Sequence, residues 1–169
     1  MRVIPETGEG PVDRPNTKGT DMGLFDFLKD AGEDLEQQEA TREREKAEAL
    51  TRQIEILGLK VESLQVGFDN GVATVRGNTP TQEEKEKVVL TLGNIQGVAR
   101  VDDQLVVEAP EPEAAFYTVQ SGDSLSKIAK QQYGDAMKYP VIFEANRPML
   151  KDPDRIYPGQ VLRIPPLGD

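Results

Sequence analysis

The sequence contains no cysteine, no histidine and no tryptophan. Without cysteine there is no disulfide, no thiolate metal site and no thiol nucleophile. Without histidine, the Ser-His-Asp triad, histidine-ligated zinc and the usual general base near neutral pH are excluded. Most familiar hydrolase mechanisms are thereby ruled out, and no residue stands out as catalytic. We therefore expect a protein that is not an enzyme.

Aromatic residues are also scarce, at 5% of the 169 residues, whereas 30% are charged. This balance favours two small cores joined by polar chain over one large core. The 20 basic and 30 acidic residues give a net charge of −10, and no basic patch interrupts the acids, so we expect no nucleic-acid partner. No apolar run approaches the ~20 residues that a membrane span requires.

Residues 1–21 are polar and rich in Pro, Gly and Thr, which predicts a disordered tail. Either Met1 or Met22 can be the start of the protein. This stretch has no apolar segment followed by a small-residue cleavage site. We therefore expect a cytoplasmic protein, and a monomer.

Residues 22–33 predict a short amphipathic helix, because Leu24, Leu28 and Ala31 share a helical face and Gly32 supplies a stop. Its few basic residues favour packing on the protein's own small domain over lying on a membrane. The charged stretch 33–48 fits either a solvated helix face or a fraying linker. Leu50 and Ile54 then mark the buried face of a helix that ends at Gly58.

Residues 61–77 predict a β-hairpin around Asn70-Gly71, the favoured pair for a type I′ turn. Such a turn places Val66, Phe68, Ala73 and Val75 on one face of the hairpin. The predicted partners are Asp69 with Val72, Phe68 with Ala73, and Val66 with Val75.

The pattern predicts that Thr79 is the N-cap of the next helix, with Pro80 in its first turn. Gln82 closes a capping box, and Gly93 ends the helix. The loop 93–97 leads into a strand over residues 98–107. The first domain, residues 34–107, is thus expected to be helix–strand–strand–helix–strand.

Residues 108–115 alternate Pro, Glu and Ala, which predicts an extended acidic spacer and nothing more. A second domain follows over residues 116–165, with the order strand–helix–helix–strand, before a tail at 166–169. The fold class predicted for the whole chain is α+β.

Two resemblances follow from quoted stretches of the sequence. FYTVQSGDSLSKIAKQQYG, then EAN and IYPGQVLRIP, resembles the LysM domain. VATVRGNTPTQEEKEKVV and GNIQGVARVDDQL resemble a BON domain. The combination, with MGLFDFLKDAG at residues 22–32, is similar to small bacterial potassium-binding proteins built from BON plus LysM.

The LysM resemblance implies binding of glycans that contain N-acetylglucosamine, such as peptidoglycan. The implied groove lies between the first strand–helix loop and the loop after the second helix. Its residues in this sequence are Gly122, Asp123, Ser124, Leu125, Ala145, Asn146 and Arg147. Turn, cap and core roles explain several of them equally well. We treat glycan binding as the alternative function.

The two-domain resemblance implies binding of potassium (K+). Potassium is satisfied by neutral oxygens, and backbone carbonyls can supply them without a side-chain signature. Helix C-termini leave carbonyls without intrahelical partners, and this sequence predicts such ends near Gly32 and at Gly93. The resemblance points to the same two segments. The implied ligands are the carbonyls of Leu28, Ala31, Gly93, Ile95 and Val98, together with Gly97.

An ion held by both segments would stabilise only states in which both are docked. We therefore expect potassium to compact the protein, with the second domain closing onto the first, as in an ion sensor or buffer. Neither an EF-hand spacing nor a convergent carboxylate cluster is present, which argues against calcium and magnesium.

Overall fold

The computed structural model describes the backbone of residues 24–168 and the side chains of residues 32–168. The predicted tail 1–21, the alternative start at Met22 and the amphipathic side chains before Gly32 lie outside these descriptions. The contacts between residues divide the chain into two compact units, of which the second is Gln38–Asp169. The elements are α1 (Leu24–Ile56), β1 (Glu62–Asp69), β2 (Val72–Thr81), α2 (Gln82–Gly93), β3 (Arg100–Ala109), β4 (Ala115–Thr118), α3 (Leu125–Tyr133), a 3₁₀ turn (Ala136–Lys138), α4 (Tyr139–Ala145) and β5 (Val161–Ile164). This mixture confirms the α+β class.

Helix α1 runs without a break from Leu24 to Ile56, so the helix end predicted at Gly32 is wrong. One glycine inside a helix costs only about 1 kcal/mol relative to alanine. The following residues are mostly Glu, Gln, Ala, Arg and Lys, all strong helix formers, and they carry the helix onward. The charged stretch 33–48 is therefore helix, one of its two predicted forms.

The first sheet has the strand order β1-β2-β3, and its hairpin has the predicted register. Asp69 pairs with Val72 and Phe68 with Ala73. Asn70 and Gly71 both have positive φ, 45° and 81°, as a type I′ turn requires. Turn chemistry and hydrophobic alternation agreed on this register.

Strand β2 ends at Thr81, four residues beyond the predicted end of the hairpin at Gly77, and the N-cap of α2 is Thr81 rather than Thr79. The Thr81 hydroxyl accepts the N–H of Glu84. Thr79 instead pairs with Val107 of β3, which runs parallel to β2. The helix between two parallel strands makes β2-α2-β3 a crossover unit. Pairing with β3 keeps Thr79 and Pro80 in the strand.

Each domain has its own hydrophobic core. The first core joins α1, β2, α2 and β3 through Leu50, Ile54, Ala73, Val75, Val88, Leu92 and Leu105. The second joins α3, α4 and β5, with β4 paired antiparallel to β5, through Val119, Leu125, Ile128, Ala129, Ile142, Leu150, Leu162 and Ile164. None of the helices in residues 24–168 is long and apolar enough to cross a membrane.

The segment between the two domains, residues 108–115, also makes a structural contact with the first domain, which corrects the prediction that it is only a spacer. Ala114 is 7% exposed, and its N–H donates to the Glu86 carboxylate of α2 over 2.9 Å. The first domain therefore holds the start of the second through a hydrogen bond.

Candidate cation site

The loop between α2 and β3, residues 93–98 (the α2–β3 loop), begins where the helix ends at Gly93. The Asn94 N–H donates to the Leu90 carbonyl over 3.1 Å and closes the last helical turn. The Val98 N–H then donates to the Ile95 carbonyl over 3.1 Å. Gly97 has a φ of +89°, which the third position of a type II turn requires. The chain thus makes a helix end and a tight turn within six residues.

Some carbonyl oxygens of the loop accept a hydrogen bond from the chain, and others do not. The Ile95 carbonyl, one of the predicted ion ligands, already accepts the Val98 N–H. Within residues 24–168, no hydrogen bond reaches the carbonyls of Gly93 or Gly97. A carbonyl at the end of a helix also carries part of the negative end of the helix dipole. These two oxygens are therefore suited to a cation.

The tip of the β1–β2 hairpin lies beside this loop. The Ala99 N–H donates to the Gly71 carbonyl over 2.7 Å. A Cβ placed on Gly71 would lie 3.8 Å from the Gly97 carbonyl oxygen. Two glycine-containing turns are thus in close contact at one end of the first domain.

Lys46 of α1 brings a positive charge to the α2–β3 loop. Its ammonium donates to the Gln96 carbonyl over 2.7 Å and lies 5.9 Å from the centre of the Phe68 ring. Among the described residues, no carboxylate lies within 4.0 Å of that ammonium. The loop therefore holds a monovalent cation with a neutral oxygen and an aromatic face, the same kinds of group that suit potassium.

The face of α1 that touches this site continues the apolar stripe of the first core. Lys46, Leu50 and Ile54 are spaced four residues apart and so share a face. One turn earlier, the Glu43 carboxylate accepts the Asn70 N–H of the hairpin tip over 3.2 Å. Sequence reasoning missed both contacts, although a lysine in register with a buried stripe is a signal that could have found Lys46.

The α2–β3 loop is also tied to the second domain through Asn94. Its side-chain amide donates to the Val161 carbonyl over 3.0 Å, and its oxygen accepts the Val161 N–H over 2.9 Å. The amide thus pairs with the edge of β5 as a neighbouring strand would. A cleft of about 620 Å³ opens between Gly93 and Asn94 on one side and residues 149–160 on the other, which exposes the loop to solvent.

A buried ion pair joins the same two domains at Glu86, which lies on α2 before the helix ends at Gly93. The Arg163 guanidinium lies 2.5 Å from the Glu86 carboxylate, and the two residues are 7% and 4% exposed. Gln82 donates to the other Glu86 oxygen over 3.0 Å. On the neighbouring turn, the hydrogen bond from Lys87 holds the pKa of Glu83 below its ordinary value, against the opposing effect of burial. Sequence reasoning missed this network, whose partners are 77 residues apart.

Leu28 and Ala31 lie inside α1. In a continuous helix their carbonyls accept the N–H groups four residues on, so the free helix end that favoured them does not exist. Their place among the ion ligands stays a prediction from the resemblance. Within the described part of the chain, no three acidic side chains converge in a way that could hold a metal ion.

Most of the predicted glycan residues have structural roles. Asp123 accepts the Tyr117 hydroxyl over 2.9 Å and the Gln120 N–H over 2.8 Å. Ser124 is the N-cap of α3, and Leu125 is buried. Asn146 is 1% exposed, and its side chain makes three hydrogen bonds, to Ile142 and to both backbone groups of Arg163.

Two of the remaining glycan residues are accessible. Gly122 is exposed, and its carbonyl accepts the Lys127 ammonium over 2.7 Å. Arg147 is exposed and lies 3.5 Å from the Glu144 carboxylate, whereas Ala145 is buried. Of the predicted set, only Gly122 and Arg147 are exposed, and Asp123 and Ser124 are half-buried.

Comparison with known proteins agrees with this two-domain architecture. The BON domain family matches residues 47–109, and the LysM domain family matches residues 117–165. The potassium binding protein Kbp of Escherichia coli O6:H1 is 49% identical over 148 residues, which cover 85% of this chain and 99% of Kbp. The chain belongs to the same family as Kbp. The first domain is therefore a BON domain and the second a LysM domain.

Two further relatives share shorter stretches. An uncharacterized protein of Deinococcus radiodurans is 36% identical over 122 residues, which cover 66% of this chain and 46% of that protein. The esterase Rv1288 of Mycobacterium tuberculosis is 42% identical over 67 residues, 40% of this chain. Those residues make up only 13% of the esterase, so the likeness concerns a small part of it.

Proposed function

We propose that this protein binds potassium at the α2–β3 loop and catalyses no reaction. The observation that carries the proposal is the 49% identity to the potassium binding protein Kbp over 99% of that protein's length. A relationship of this extent includes both domains and the junction between them.

The geometry of the loop supports the same function. The Gly93 and Gly97 carbonyls are unpaired within the described residues, and the Gln96 carbonyl already holds an ammonium group. Neutral oxygens with no convergent carboxylates suit a monovalent ion better than calcium or magnesium. The net charge of −10 raises the local concentration of cations, although it does not select among them.

Isothermal titration of the metal-stripped protein tests this function directly. We expect saturable binding of potassium and weaker binding of sodium and calcium, each titrated as its chloride. Absence of saturable potassium binding, or equal binding of sodium, would overturn the proposal.

The second part of the proposal is that potassium compacts the protein, which thereby acts as an ion sensor or buffer. Asn94 supports it, because one residue belongs to the proposed site and also pairs with Val161 of the LysM domain. An ion that binds only the docked state stabilises it by about 2.7 kcal/mol at 100 times its Kd. Small-angle scattering and tryptic digestion should show a smaller, more resistant monomer with potassium; identical profiles would refute compaction.

We place this function in the cytoplasm, where potassium is the main cation. Fractionation of cells that express the protein checks the location, and recovery from the envelope fraction would contradict it.

Glycan binding through the LysM domain is the second candidate. The family match over residues 117–165 favours it, and Gly122 and Arg147 are accessible. A pulldown on purified peptidoglycan tests it, with Arg147→Ala as the variant and Arg155→Ala as the matched control on the same domain. Retention that Arg147→Ala weakens and Arg155→Ala does not would support this function.

A further inference from the structure

The Lys46 ammonium lies where the proposed function requires a cation. It donates to the Gln96 carbonyl over 2.7 Å, and a Cβ placed on Gly97 would lie 3.6 Å from it. The ammonium is thus in contact with the same short turn that offers its neighbouring carbonyls to potassium.

An ammonium group and a potassium ion resemble each other chemically. They carry the same charge and have nearly the same radius, and both are satisfied by carbonyl oxygens and aromatic faces. Lys46 has both kinds of partner, Gln96 and Phe68, and no carboxylate within 4.0 Å among the described residues. Its charge is therefore not neutralised by a close ion pair, and it repels a second cation at the same turn.

We infer that Lys46 is a tethered competitor of potassium at the α2–β3 loop. Its ammonium binds the Gln96 carbonyl and has to withdraw from it, or share the turn at an electrostatic cost, when potassium binds. Lys46 thereby weakens the site and sets the potassium concentration at which the site fills. The inference rests on the proposed function, since it concerns regulation of that same site.

The position of Lys46 on α1 fits this role. Lys46 is half-buried and follows the register of Leu50 and Ile54, which are 1% and 0% exposed, and its ammonium lies over Phe68, which packs against the first core. A lysine so anchored returns to the same carbonyl after each release, at a fixed effective concentration. A free ammonium ion in solution has no such advantage.

The test compares Lys46→Met with Lys127→Met by isothermal titration of potassium chloride. Lys127 is a matched control, because it also donates to a loop carbonyl, that of Gly122, over 2.7 Å, and its loss changes the net charge equally. We expect Lys46→Met to bind potassium about 5- to 10-fold more tightly than wild type, and Lys127→Met to bind as wild type does. Unchanged or weaker binding by Lys46→Met would overturn the inference.

A second measurement separates competition from a loss of structure. In the wild-type protein, the NMR signals of the Lys46 ε-methylene should move as potassium is added, while those of Lys127 stay fixed. Fixed Lys46 signals during saturable binding refute the inference and leave the proposed function intact. If wild type, Lys46→Met and Lys127→Met all fail to bind potassium, the proposed function itself is refuted.

Discussion

Two lysines donate to a loop carbonyl over the same distance, 2.7 Å, one in each domain. Lys127 reaches Gly122 five residues away, within the turn that begins its own helix. Lys46 reaches Gln96 across 50 residues, from a different helix. The first contact is local and completes a helix start, whereas the second needs the whole BON fold to exist. The difference shows that the functional significance of a contact between a lysine and a carbonyl depends on whether the tertiary fold or the local sequence brings the two groups together.

The surroundings of the two loops differ in the same way. In the LysM domain, the loop side chains of Asp123, Ser124 and Asn146 form hydrogen bonds with groups of their own domain. In the BON domain, the turn after Gly93 leaves backbone oxygens unpaired within the described residues and receives a cation instead. A ligand of these three side chains would displace internal hydrogen bonds, whereas a cation at the BON loop meets oxygens that are available.

The comparison holds only if both domains fold as one body, and Arg163 tests this with the largest expected effect. Arg163→Met leaves the buried Glu86 carboxyl without its ion-pair partner, which should lower the free energy of unfolding by about 3 kcal/mol. Urea denaturation measures it. The control is Arg155→Met, whose ion pair with Asp152 is exposed and whose loss should cost less than about 1 kcal/mol. Equal effects would mean that the buried pair does not join the domains.

Asn94 tests whether the BON loop and the LysM domain are coupled. Asn94→Ala removes two hydrogen bonds to Val161 and should cost about 1–2 kcal/mol of unfolding free energy. It should also reduce the compaction that potassium causes, as seen by small-angle scattering. Asn78→Ala, at an exposed position of β2, is the control for the loss of an amide. Full compaction of Asn94→Ala would contradict the coupling.

Two glycines sharpen the comparison of the loops. Gly97 and Gly122 have similar positive φ values, +89° and +83°, so alanine at either should cost about 1 kcal/mol of stability. Only Gly97→Ala should weaken potassium binding, by about threefold or more, because it strains the turn that presents the carbonyls. Thermal melts and potassium titrations of both variants check this. Weakening by both variants, or by neither, would contradict the assignment of the loop.

The smallest effect concerns acid stability at the domain junction. The pKa of Glu83 is lowered from its ordinary value of 4.5, mainly by its hydrogen bond from Lys87. The contribution of Glu83 to folding stability is therefore present above its unfolded pKa and is lost as the pH falls through its folded pKa. Lys87→Met should therefore flatten the decline in urea midpoint on the acid side. Arg52→Met, which breaks an exposed pair of the same helical spacing with Glu48, should leave that decline unchanged.

The local parts of the fold could be predicted because single short patterns determine them. Asn70-Gly71 fixed the hairpin register, and Gly93 is the last residue of α2, as predicted. The start of α2 was predicted wrongly because Thr79 and Thr81 both fit a capping pattern, and only pairing with β3 decides between them. Local patterns do not contain that information.

The candidate site was only partly predictable. The glycine-flanked loop could be found, since helix ends and turns have sequence signals. The partners of the loop could not, because Lys46 and Val161 come from elements 50 and 67 residues away and bind backbone or amide groups. Gly32 misled the prediction, since a glycine ends a helix only where the chain beyond it leaves the helical conformation.

Anomalous diffraction from crystals grown in rubidium chloride tests the central claim most directly, because rubidium replaces potassium and its position can be located. We predict one strong peak in contact with carbonyl oxygens of the α2–β3 loop, residues 93–98. A map in which that loop holds no ion, while rubidium lies elsewhere on the protein or nowhere, would contradict the assignment of this loop as the potassium site.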